Sequence, residues 1–113
     1  MESQKLHLMG CEIEKLSQQL CTRFSMNSRF TSKQGDVEVL LREKFYFRIS
    51  SNLSFFAILD FQQKGECALT LIAAGGKHGP FGFSYGAEKN MLEQAKKEVR
   101  KLAVENHWQE VQK

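Results

Sequence analysis

Proline is nearly absent from this sequence, with Pro80 the single one among 113 residues. A chain so poor in proline, with ordinary apolar and charged fractions, is not built as an extended linker or a disordered tail. Cysteine is scarce, and the three residues form an odd set. Cys11 and Cys21 fall on one predicted helix, with ~15 Å of axial rise between them, too far for a disulfide. A reducing, cytoplasmic setting is expected. Long apolar runs are also missing. The longest, 55–59 and 68–74, fall far short of the ~20 residues that a membrane-spanning helix needs. Positions 1–10 lack the apolar stretch and cleavage site of a secretory signal. The net charge is only +3, whereas nucleic-acid binders concentrate more positive charge, so nucleic acid is the less expected partner.

What is present reads as an α+β fold. The length leaves room for one domain, over residues 1–113. Residues 5–9 alternate as a short first strand. Ile13, Leu16, Leu20 and Phe24 recur at helical spacing and predict a short N-terminal helix over 11–25, with Glu12 and Glu14 in its first turn. Residues 27–32 suggest a second strand. The clearest alternation follows: Val37, Val39, Leu41, Phe45, Phe47 and Ile49 take odd positions, while Glu38, Arg42, Lys44 and Arg48 take even ones. Period two predicts a strand with its odd face buried and its even face wet. Glu43 interrupts the odd set, and a bend or bulge there is the favoured explanation.

Two further strands are expected over 53–62 and 66–74, joined by the turn Gln63-Lys64-Gly65. Short turns make these strands antiparallel neighbours in a sheet of four to five strands. A glycine-rich stretch, 75–85, leads into a long C-terminal helix over 87–108. Its apolar stripe includes Met91, Leu92, Ala95, Val99 and Leu102.

The resulting order, β-α-β-β-β-β-α, resembles that of TATA-binding-protein-like and helix-grip domains, which implies a curved sheet embracing the long helix. The run Leu69-Thr70-Leu71-Ile72-Ala73-Ala74-Gly75-Gly76, with Phe81-Gly82-Phe83 and Gly86-Ala87-Glu88 after it, is similar to small bacterial proteins grouped as a family of unknown function. That resemblance covers about a third of the chain and implies no activity.

The glycine-rich stretch precedes a helix N-terminus, where phosphates bind in many folds. Yet Gly76-Lys77 is followed by His78, and Leu71 stands where a P-loop needs its first glycine. The glycines then serve a chain reversal; if a ligand sits there, Lys77 and His78 are the groups to meet it. His7, His78 and His107 lie far apart, without zinc-finger spacing, so no metal is expected. Cys11, at a predicted helix N-terminus, is the thiol best placed for activation, but it is read as a packing residue. No carboxylate pair suits acid–base chemistry, and no residue is nominated as catalytic.

The wet face of the sheet is the surface of interest. Arg42, Lys44, Tyr46 and Arg48 are expected on it, with Phe56, Ile58, Thr70 and Ile72. Such a face suits self-association into a homo-oligomer. It also suits a small apolar or anionic ligand, with Arg42 or Arg48 holding the charge and Phe56 with Ile58 the tail. A helix covering this face to make a second core is the bland alternative. The function is unknown from sequence. A non-enzymatic binding or assembly module ranks first. A small-molecule or enzymatic site between the glycine stretch, the last helix and the sheet ranks second. No cofactor is implied.

Overall fold

The computed structural model of the chain describes residues 2–46, 51–61, 63–75 and 87–111. Its elements are β1 (Glu2–Met9), α1 (Lys15–Arg23), β2 (Ser28–Thr31), β3 (Val37–Tyr46), β4 (Ser51–Asp60), β5 (Glu66–Gly75), α2 (Ala87–Glu105) and β6 (Gln109–Glu110). The sheet has six strands in the order β2-β3-β4-β5-β1-β6, all pairs antiparallel. The expected four to five strands are thus exceeded, because β6, two residues long, adds an edge beside Leu8 and Met9. Two residues carry no periodicity, so such a strand is invisible until its partner is placed.

One hydrophobic layer lies between the sheet and the helices. Leu16 and Leu20 of α1, with Leu92, Ala95, Val99 and Leu102 of α2, pack against inward-facing strand residues such as Leu8, Phe55, Leu59 and Leu71. The helix stripes arise because residues three and four apart share a face. α2 lies mainly over β5 and β1, and Arg23 ties α1 to it through Glu98 and Glu105, each at 3.0 Å.

Both helices stop earlier than their apolar spacing predicts. Past α1, Ser25 takes a positive φ of 51°, and the Met26 amide donates to Cys21 O at 3.1 Å. Past α2, His107 takes φ 61°, and the Trp108 amide donates to Ala103 O at 2.8 Å. These bonds close the last turn in the manner of a Schellman motif, whose usual signal is a glycine. Neither site has one, so the stops are hidden in the sequence. At the other end, residues 11–14 form turns ahead of α1. Cys11, Glu12 and Glu14 therefore precede the helix rather than opening it.

Candidate functional site: the open face of the sheet

The register decides which side chains meet the helices. β3 pairs β4 with Leu40 opposite Ala57 and Arg42 opposite Phe55, so even positions of β3 share a face with odd positions of β4. Phe55, Ala57 and Leu59 are buried, and Leu40 is buried with them. The inner face of β3 is therefore its even face, the reverse of the alternation's expectation. Leu40 and Leu41 are adjacent apolar residues, so the pattern supports either side until the hairpin register selects one.

Val39 and Leu41 consequently turn outward, beside Ile58 and Phe56 of β4. β5 continues these rows with Thr70 and Ile72, and β2 adds Phe30 opposite Val39. Two neighbouring rows run across the strands: Phe30, Val39, Ile58, Thr70 and Lys5, then Ser28, Leu41, Phe56, Ile72 and Ser3. Phe30 is 61% exposed; Val39, Leu41, Phe56, Ile58 and Ile72 are half-buried. Among the described residues, neither helix covers this face. A third row, Val37, Asp60, Ala68 and His7, forms a polar margin. There His7 Nε2 lies 3.6 Å from Glu66 Oε2, and a shallow cavity of about 210 Å³ opens beside Lys5, His7, Thr70 and Val111.

Of the residues nominated from sequence, Phe56 and Ile58 stand together on the open face. Arg42 does not join them. Its guanidinium points inward, donating to Phe24 O just past the end of α1 at 3.1 Å and lying 5.4 Å over the Phe55 ring. A cation suits that position, because the last carbonyls of a helix carry partial negative charge. Arg48, Lys77 and His78 lie outside the described residues. β3 pairs β4 without interruption from Val37 through Tyr46, so the expected bulge at Glu43 does not occur.

Glu38 faces inward and is 6% exposed. Its Oε1 accepts from Arg29 Nε at 2.8 Å and Nη2 at 2.6 Å, and from the Thr31 hydroxyl at 3.3 Å. Paired donors make its burial tolerable. Even placement among charged neighbours hid it; the signal that could have revealed it is Arg29 and Thr31 alternating on the strand across the turn.

The thiols differ in environment. Burial pushes the Cys67 thiol up to about 12 and raises that of Cys21 as well, while Cys11 is exposed. At pH 8 a thiol with that high a value is ionised about one part in ten thousand. Iodoacetamide is expected to modify Cys11 in the native protein and Cys67 only after unfolding. Mass mapping checks this; equal labelling of Cys67 would contradict its burial. Among the described residues no group of three His, Cys, Asp or Glu side chains is placed to hold a metal. No helix there is long and apolar enough to cross a membrane.

A protein-family model matches residues 7–103, and its description assigns no function. No curated protein and no solved structure matches the chain.

Proposed function

The chain belongs to the family of unknown function DUF6054, and from that premise we propose that it is a non-enzymatic binding or assembly module working through the open face of its sheet. The observation that supports this reading is the contiguous apolar surface built by Phe30, Val39, Leu41, Phe56, Ile58 and Ile72 on the side away from the helices. Removing such a surface from water is worth roughly 25 cal/mol per Å², and patches of this kind mark interaction sites. A sheet with helices on one side has its other side to offer. The small-ligand alternative drew on Arg42 or Arg48 beside Phe56 and Ile58; Arg42 stands on the opposite face, while Arg48 and the glycine-rich stretch lie outside the described residues.

Native mass spectrometry under gentle conditions tests the proposal. The wild-type chain is expected to fly as a complex, and Ile58→Asp to return the bare 13.0 kDa chain with unchanged circular dichroism. A wild type that is already bare and monomeric overturns the reading.

A further inference from the structure

We infer that the occupant of the open face is a second copy of this chain, docked sheet to sheet about a two-fold axis that runs across the strands. This rests on the open face being the working surface, and adds the partner and its orientation. Size is the first argument. Five strands at ~4.8 Å spacing and some nine residues at ~3.4 Å give a face of about 700 Å², near the ~800 Å² per partner of a stable interface. Charge is the second. Among the described residues the centre of the face carries none, and its margin holds both signs, with Lys5 on β1 and Asp60 and Glu66 on β4 and β5. Two identical faces therefore meet without a single-sign field between them, which an interface made of the same patch twice requires.

The rows then choose the axis. A two-fold axis along β4 would set Asp60 against Asp60 of the second copy, and like charges in contact are costly. An axis across the strands, between the two apolar rows, lays Ile58 over Phe56 of the second copy and Val39 over its Leu41. Phe30 then meets the small Ser28, ring against gap. Sheets packed face to face sit ~10 Å apart, the separation that interdigitated side chains of this size fill.

Light scattering after gel filtration reads the outcome. Wild type is expected at twice the 13.0 kDa chain mass. Ile58→Asp alone and Phe56→Lys alone are expected to fall to the single-chain mass. The double variant is expected to regain the dimer, because each new carboxylate faces the other copy's new ammonium across the axis. Thr70→Arg, at a half-buried polar position on the open face, is expected to dissociate the dimer as well. A dimeric wild type whose double variant stays monomeric overturns the axis. If instead wild type carries one foreign component that Ile58→Asp sheds, the second copy is the wrong occupant while the open face remains the binding surface. A bare monomer at high micromolar concentration overturns both.

Discussion

Phe55→Ala is expected to destabilise the protein by ~3–5 kcal/mol, the usual cost of truncating a buried aromatic ring. Phe55 has no exposed surface. Its ring centroid lies 5.3 Å from that of Phe24 at an interplanar angle of 59°, the tilted arrangement aromatic pairs prefer. The ring also carries the Arg42 guanidinium, 5.4 Å over its centroid, which holds the end of α1. Truncation therefore opens a cavity and also removes the support of a charge in the inner layer. Against a total stability of ~5–15 kcal/mol, the loss is enough to leave a marginal protein. Urea titration followed by circular dichroism measures it: the midpoint should fall with little change in slope. Phe55→Leu keeps most of the volume and is expected to cost less than half as much. A loss below ~1 kcal/mol for the alanine variant would mean that the ring is not part of the core.

The second large effect is expected at Gly10, between β1 and the turns ahead of α1. A Cβ placed there would lie 2.5 Å from Trp108 Cδ1 and 3.2 Å from Trp108 Cα. Trp108 has little freedom to withdraw. It is buried, its indole N–H donates to Cys11 O at 2.8 Å, and its amide closes the end of α2. The Gly10 amide is itself committed, donating to Gly65 O at 3.0 Å. Gly10→Ala must therefore move either the backbone or the tryptophan, and is expected to cost ~2–3 kcal/mol by overpacking.

Gly35→Ala is the informative comparison. Gly35 has φ +78° but nothing within 4 Å of its added Cβ, so only backbone strain of ~1–2 kcal/mol is expected. Thermal unfolding of both variants, with tryptophan fluorescence as the probe, separates the two causes. Only Gly10→Ala should alter the native emission of Trp108, the single tryptophan. Unchanged emission and stability in that variant would contradict the close approach.

Much of the architecture was legible beforehand because periodicity is a local property. The stripes of α1 and α2 repeat every three or four residues, and β5 alternates Cys67, Leu69, Leu71 and Ala73 inward, as a strand with one buried face must. The four-strand run β2 to β5 was readable from alternation and turn chemistry together. The helix ends were not, since Ser25 and His107 occupy left-handed positions that composition assigns to glycine. Of the candidate surface, Phe56, Ile58, Thr70 and Ile72 were placed together from sequence. Val39, Leu41 and Phe30 were missed because β3 was turned the wrong way round.

The amino-acid sequence by itself determined the class of fold, the two described helices and the meander of strands, because each depends on contacts between residues close along the chain. Only the tertiary structure decided which face of β3 meets the helices, where Arg42 delivers its charge, and that Glu38 turns inward. All three follow from one pairing, Leu40 opposite Ala57. A strand's side chains alternate with period two, so shifting its partner by one residue exchanges every inward group for an outward one. Alternation shows that a strand has two unlike faces. Which of them is buried depends on its neighbours.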